Sequence, residues 1–423
     1  MEEVVLTDSG LPLKPLYRPE DVAGLDYERD LGDPGTLPYT RGVYPEMYRR
    51  RLWTIRPLAG FATAEDTNRR CRWLLAHGAT GVNVTVDYST LRGYDSIDPI
   101  AAGDAGLGGV IIDCADDAAA LVDGIDIAHV SVSLVTCNPI AAMCVFPMYL
   151  AAARRRNIQW SDLGGTTQND FLMETVITTS PTVLPPAASF RLSCDVVQFC
   201  ARHVPRWHPI SFAGYNYREA GATAIQEGAL VLAHALAVSR EMMRRDVEAH
   251  RFLPRLSFFL AAGNDFFEEI AKFRALRKIW ARMVAEELGV EDGRCRQFRF
   301  HVQTSGAALT RQQPLNNVVR AAYHGMAAVL GGAQSLHLSG YDEVFGLPSE
   351  QAAELAVRTQ QILALETNVA ATADPLAGSY YVESLTREIE ERVLDYVRRV
   401  EGLGGIVRAV ESGWVHRELA DSG

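Results

Sequence analysis

The sequence predicts an α/β chain folded as a (β/α)8 TIM barrel with an extended N-terminal arm. Three observations carry that expectation. Strand-like runs of a few residues alternate with longer helical stretches from about residue 60 onward, and such alternation implies a parallel sheet. Seven clear strands and one weak one fall within about 330 residues, the scale of one barrel. No Gly-rich phosphate fingerprint follows the first strand, which disfavours an open doubly wound sheet.

Residues 1–48 read as the arm, with Pro12, Pro15, Pro19, Pro34, Pro38 and Pro45 and little periodicity, leaving 49–423 as the barrel domain. An arm of this length wraps its own domain or a neighbour. "TAEDTNRRCRWLLAHG" reads as a helix that Thr63 or Asp66 caps and Gly78 stops. "GVNVTVDYST" (81–90) and "HVSVSLV" (129–135) read as strands, and "AAMCVFPMYLAAARRR" as the next helix. A helix around 183–203 leads to a strand at 210–213, and a long helix at about 222–247 to "PRLSFFLAAG". "FFEEIAKFRALRKIWARMVAEELG" precedes the strand "QFRFHVQTSG"; "NNVVRAAYHGMAAVLGG", "AQSLHLSG" and "EQAAELAVRTQQILALE" complete the alternation.

Composition narrows the function. The chain has 423 residues, 48% hydrophobic and 22% charged, with a formal net charge of −11, so no nucleic-acid or anionic-membrane footprint is expected. Basic runs are local: Arg49 to Arg51, Arg154 to Arg156, and Arg244 with Arg245. Most such runs are solvated faces, but the first lies in a Pro/Tyr-rich loop and suits phosphates. Seven cysteines without a CxxC, no signal-peptide pattern and no membrane-length apolar run together point to a reduced, cytoplasmic protein.

In a barrel of this kind, chemistry sits at the C-terminal ends of the strands. Asp87 and Thr90, Gln168, Asn169 and Asp170, Tyr215 and Asn216, Gln303 and Thr304, and His337 all fall there. Each alone reads as a turn or capping residue; together they read as a site. Several strands also carry small polar residues where Val, Ile and Leu normally fill the interior: Asn83, Thr85, Ser131, Ser133, Ser211 and Ser257. Either half of them face helices, or the barrel axis is open to an extended polar ligand.

Long motifs then place the chain in a family. "TRGVYPEMYRRRLWTIRPLAGFATAEDTN" (40–68), "RGYDSIDP", "GTTQND", "PRLSFF", "AKFRALRKIW", "QTSG", "GGAQSLH" and "DPLAGSYYVESLT" resemble the substrate-binding subunit of the adenosylcobalamin-dependent acyl-CoA mutases, which act on methylmalonyl-, isobutyryl- or 2-hydroxyisobutyryl-CoA. The resemblance covers nearly the whole chain. It implies a barrel threaded by the pantetheine arm of coenzyme A. It further implies that Tyr44, Met47, Arg51, Thr54, Arg56, Arg255 and Ser257, with Gln334 and Ser335, hold the acyl-CoA. Gln168, Tyr215 and Asn216 would meet the thioester, and Gln303, Glu343 and Glu219 would face the adenosyl or cobalamin side.

The departures from the family pattern set expectations about the substrate. Thr178 stands where an arginine pairs a substrate carboxylate, so a dicarboxylic substrate is not expected. Leu58 replaces a tyrosine in "TIRPLAG", and Thr85 an aspartate of the hydroxyisobutyryl enzymes. Asn216 replaces a histidine in Gly-Tyr-His; it donates a hydrogen bond but is no acid near neutral pH. "LVTCNP" (134–139) is longer than the family pattern, and His208 lies one strand length before Asn216. His208 reads either as a structural strand-start residue or as a histidine that has exchanged roles with that asparagine.

No Asp-x-His-x-x-Gly cobalamin module occurs, so the resemblance implies adenosylcobalamin on a separate small subunit, and a homodimer or α2β2 assembly. The leading expectation is a radical 1,2-rearrangement of a branched or hydroxylated, non-dicarboxylic acyl-CoA. Two alternatives remain open: cobalamin-independent chemistry on a CoA or related thioester, and a non-catalytic CoA-binding partner.

Overall fold

The computed structural model describes residues 4–176 and 184–423. Eight parallel strands form its centre: β1 (Thr54–Ile55 continued by Leu58–Ala59), β2 (Gly81–Thr85), β3 (Ser131–Val135), β4 (Gly165–Thr167), β5 (Ile210–Ala213), β6 (Leu256–Ala262), β7 (Phe300–Thr304) and β8 (Ser335–His337). Proline has no backbone N–H, so Pro57 splits β1. Its first half pairs with β8 (Thr54 opposite Ser335) and its second with β2 (Leu58 opposite Asn83). Consecutive strands pair from β2 to β4 and from β5 to β8. A bridge between Thr166 and His208 joins β4 to β5, and the ring closes.

The strands keep an apolar outer face, as in most such barrels, but carry small polar residues on the inner one. Val82, Val84, Val132, Leu134, Ile210, Phe212, Phe258, Leu260, Val302 and Leu336 face outward into one continuous apolar core beneath the helices. The intervening positions, largely Asn, Ser and Thr, face the axis. Successive side chains of a strand point to opposite faces, so the period of two in the sequence becomes an apolar shell around a polar lumen.

The strand expected at 81–90 ends at Thr85, because Asp87 caps a helical turn, Tyr88–Leu91, by accepting from Thr90 N–H. The strand expected from residue 129 begins at Ser131, and the helix expected at 222–247 spans Ala224–Arg244 under a Thr223/Gln226 capping box. β4 and β8 are each three residues long.

The N-terminal segment lies against the barrel wall. Arg277, fully buried, donates Nε to Tyr39 O at 2.9 Å and Nη2 to Thr40 O at 2.6 Å, and Lys278 pairs with Asp30 at 2.9 Å. Tyr39 Oη reaches Gly293 O at 2.9 Å.

A buried ionic cluster braces the C-terminal end of β6. Lys272 lies between Glu227 (2.6 Å) and Glu269, and Arg218 pairs with Glu269 at 3.1 Å. Glu227 accepts from Ala261 N–H and Glu269 from Gly263 N–H, which ties the charges to the strand end. Removing Lys272 leaves two buried carboxylates sharing Arg218, 3.1 Å from Glu269 and 4.0 Å from Glu227. Lys272→Ala is therefore expected to lower stability by about 3–5 kcal/mol, read as a fall in the urea midpoint with an unchanged m-value.

Candidate active site

A cavity of about 400 Å3 runs along the barrel axis. Its wall includes Asn83, Thr85, Ser131, Ser133, Ser211 and Ser257, so the small polar strand residues do line an open axis. A second cavity of about 490 Å3 lies over the loop 44–54. Tyr44, Arg51, Thr54 and Gln334 border both cavities, so the two adjoin at the N-terminal mouth of the barrel. The lumen stays open because adjacent inward positions carry short side chains: Asn83 is opposite Ser133, and Ser211 opposite Ser257.

Cations gather at the N-terminal mouth. Arg255 immediately precedes β6 and Arg299 immediately precedes β7. Burial lowers the Arg255 pKa, and the neighbouring charges that act on it are those of Arg299, Arg294 and Arg206 and the Tyr44 phenol, with no carboxylate among them. Arg299 Nε and Nη2 are buried without partners. Deeper in, Arg56 donates Nη2 to Ser131 Oγ at 2.8 Å, leaves Nε unpartnered, and is lowered by burial to about 10. Mutually repelling guanidinium groups without counter-ions form a receptor for polyanionic oxygens. Arg206, Arg294 and Arg299 were missed in the sequence, where they belong to no run.

Of the residues expected at the phosphate end, Tyr44, Arg51, Thr54, Arg56, Ser257, Gln334 and Ser335 line the axial cavity, and Met47 the outer one. Ser257 Oγ donates to Ile210 O at 2.8 Å. The Gln334 amide is spanned by Phe300 N–H (2.9 Å) and Gly332 O (2.8 Å), so it shapes the mouth with its polar atoms already satisfied.

At the C-terminal end the strand termini bring Leu58, Thr85, Val135, Cys137, Gln168, Tyr215, Asn216, Phe259 and Gln303 around the same cavity. The Tyr215 ring stacks on Phe259 at 5.0 Å with 14° between planes, an apolar wall. Burial raises the Tyr215 pKa well above its ordinary value, so the phenol stays protonated. Gln168 Nε2 and Asn216 Oδ1 are buried with no partner, which leaves two carboxamides with spare hydrogen-bonding capacity. Thr178 lies outside the described residues.

The other polar strand ends serve the framework. Asp87 caps its turn and accepts from Gly106 N–H (2.7 Å); Asn169 donates to Ser193 O (2.9 Å); Thr304 accepts from Ser339 N–H at Oγ1 and from Ser339 Oγ at its carbonyl. Asp170 accepts from Leu172 and Met173 N–H, from Ala213 N–H at 2.7 Å and from Tyr217 Oη at 3.1 Å. It thereby locks the end of β4, which carries Gln168, to the end of β5, which carries Asn216. His337 Nδ1 accepts from Leu58 N–H at 3.1 Å. Glu219 uses both oxygens on the 305–307 loop, from Ser305 Oγ and Ala307 N–H, and Glu343 accepts from Gly340 N–H.

His208 has not exchanged places with Asn216. It sits at the opposite end of β5, its Nδ1 3.0 Å from Arg255 O. Burial, with Arg299 and Arg255 nearby, lowers its pKa to about 3, so it is neutral and no general acid near pH 7.

The methylmalonyl-CoA mutase family matches residues 6–423. This chain belongs to that family. It is 43% identical over 415 residues to the 2-hydroxyisobutanoyl-CoA mutase large subunit of Aquincola tertiaricarbonis, covering 98% of this chain and 73% of that subunit. It is 41% identical over 416 residues to methylmalonyl-CoA mutase of Rhizobium meliloti, covering 98% of this chain and 58% of that enzyme. Over 407 residues it is 40% identical to the human mitochondrial methylmalonyl-CoA mutase, of which it spans 53%. The relative from Aquincola is described as a large subunit, which implies a partner subunit for that protein. Among the described residues, no helix is long and apolar enough to cross a membrane.

The histidines of the mutase lumen predict an acid response. Burial holds His208 at about 3 and His301 well below the ordinary value. In the unfolded chain both take up protons near about pH 6.5. Between those limits the unfolded state binds more protons, so stability falls as pH falls, by at most about 1.4 kcal/mol per pH unit for each group. Melting temperature should decline from pH 6.5 to 4.5, and His208→Gln should show a shallower slope. Identical slopes would mean that His208 is not proton-linked.

Proposed function

We propose that this chain is the substrate-binding catalytic subunit of a split adenosylcobalamin-dependent acyl-CoA mutase, an isomerase acting in the cytoplasm on a branched or hydroxylated, non-dicarboxylic acyl-CoA. The observation that carries the reading is the polar axial passage, with unpaired arginines at one end and unpartnered carboxamides at the other. The arginines suit the phosphates of coenzyme A, the lumen of Ser, Thr and Asn suits the two amides of pantetheine, and Gln168 and Asn216 suit the thioester. Leu58, Thr85, Val135 and Phe259 surround the acyl end without a cation among them, which favours an uncharged acyl group.

The residues at the C-terminal opening fit an adenosyl group, which carries both donors and acceptors: Gln303 and Tyr215 line the cavity there, and His337 Nε2 is buried without a hydrogen-bond partner. Gln303, Glu343 and Glu219 would hold that side. Adenosylcobalamin, carried by a small partner subunit in a homodimer or α2β2 assembly, supplies radical initiation when bound. This chain's own residues then orient the thioester carbonyl by hydrogen bonds, without an acid at position 216, while the Tyr215–Phe259 wall keeps water from the reacting carbon.

Two measurements test the reading. Acyl-CoAs of varied chain are incubated with the protein, with and without adenosylcobalamin and a small cobalamin-binding subunit, and products are identified by mass spectrometry. Carbon-skeleton isomers that form only with cobalamin are the expected result; products formed without it would support cobalamin-independent thioester chemistry in the same barrel. Separately, Arg299→Gln is expected to raise the Kd for acyl-CoA by about 10- to 100-fold, the loss of one charge-assisted phosphate contact. An unchanged Kd in calorimetry would remove Arg299 from the phosphate site.

A further inference from the structure

We propose that Cys137 is a positioning residue that sets the polarity of the Gln168 carboxamide, so that its N–H donors and not its oxygen face the thioester carbonyl. The inference rests on the acyl-CoA reading of the site. It starts from the segment 134–139. There β3 ends at Val135, and Asn138 caps the helix Pro139–Arg155 by accepting from Ala141 N–H and anchors itself through Nδ2 to Leu91 O at 2.7 Å. The residue between takes φ +60°, a left-handed conformation uncommon for a side-chain-bearing residue. Cys137 therefore turns into the cavity beside Tyr215 and Phe259.

Its Sγ lies 3.6 Å from Gln168 Oε1, nearer than its other acceptor, Val135 O, at 4.0 Å. Burial raises the thiol to about 12, so it remains S–H, whose hydrogen meets an amide oxygen, while its sulfur is only a weak acceptor for an amide NH2. The Gln168 backbone is fixed independently: its N–H donates to Leu134 O at 2.9 Å, and its carbonyl accepts from Thr136 Oγ1 at 3.1 Å. With the backbone held, the thiol at the end of the side chain favours the amide orientation that places Oε1 toward it. The other end of that amide, Nε2, belongs to a side chain that is 3% exposed, and it has no partner. A buried donor left open beside a cavity is a place for a ligand acceptor.

The arrangement matters here because position 216 holds an asparagine, whose own Oδ1 is also unpartnered. With no acid at that position, carbonyl polarisation depends on neutral donors, and a reversed Gln168 amide would set oxygen against oxygen.

The test uses isobutyryl-CoA with an isotopic label at its carbonyl carbon, bound to the full chain and read by isotope-edited infrared spectroscopy and calorimetry. The wild-type complex should show the carbonyl band moved to lower frequency than in the free ester, and Gln168→Leu should abolish that shift. Cys137→Ala and the bulk-preserving Cys137→Val should lose most of the shift and weaken binding by about 2- to 10-fold; Cys137→Ser, which keeps a donor, should retain both. Cys137→Val would still answer the question if the smaller side chain left the protein unfolded. Bound ester with a full shift in the alanine or valine variant overturns the positioning role and leaves the acyl-CoA reading intact. No binding of the ester by wild type overturns the acyl-CoA reading itself.

Discussion

Everything functional in this molecule depends on one constraint: a closed ring of eight parallel strands whose inward positions are too small to fill it. Backbone hydrogen bonds around the ring make it rigid, so the lumen cannot collapse to recover the missing volume. Bulky branched residues ordinarily occupy such an interior. Here the apolar side chains of the strands point outward, and burial against the helices supplies the stabilisation that an inner core would otherwise give. The axis is thereby free to hold an open cavity with a polar wall.

Electrostatics then give the passage a direction. Acidic and basic side chains elsewhere are widely paired, including the fully buried Arg274 with Asp374 and Glu383. Around the N-terminal mouth the guanidinium groups face one another instead. Such repulsion is tolerated only where solvent or an anion relieves it, and it favours a multiply charged ligand head. At the opposite end charge is absent from the cavity wall, and neutral amides, a phenol and a thiol take over. A ligand with an anionic head and an uncharged, carbonyl-bearing tail matches that gradient in one orientation only.

The two carboxamides at the far end are held by groups that touch no ligand. Asp170 ties the end of β4 to that of β5 through two hydrogen bonds, from Ala213 N–H and Tyr217 Oη, and the Glu227–Lys272–Glu269–Arg218 cluster stiffens the neighbouring end of β6. Gln168 and Asn216 lie 48 residues apart in the chain, yet their relative placement is set by one buried carboxylate. Reactions that proceed without a strong acid rely on donors held in place beforehand, because the protein then has no reorganisation to perform as charge develops.

Much of this was legible in the chain. The alternation of short strands with longer helices marked the barrel, and the small polar strand residues offered an open axis as one of two readings. Motifs around Arg51, Gln168, Tyr215 and Gln303 marked residues that line the axial cavity, and Thr63 marked a helix start. Those signals are short-range and survive without knowledge of the fold. Other features depend on ring closure, which brings strand ends together that are far apart in sequence. Arg206, Arg294 and Arg299 join Arg255 only because β5, β6 and β7 start at the same mouth. His208 is separated from Asn216 because a strand has two ends, and Cys137 meets Gln168 only because β3 and β4 finish side by side. Local pattern therefore determined which way each side chain faces, while tertiary structure alone decided which of them meet.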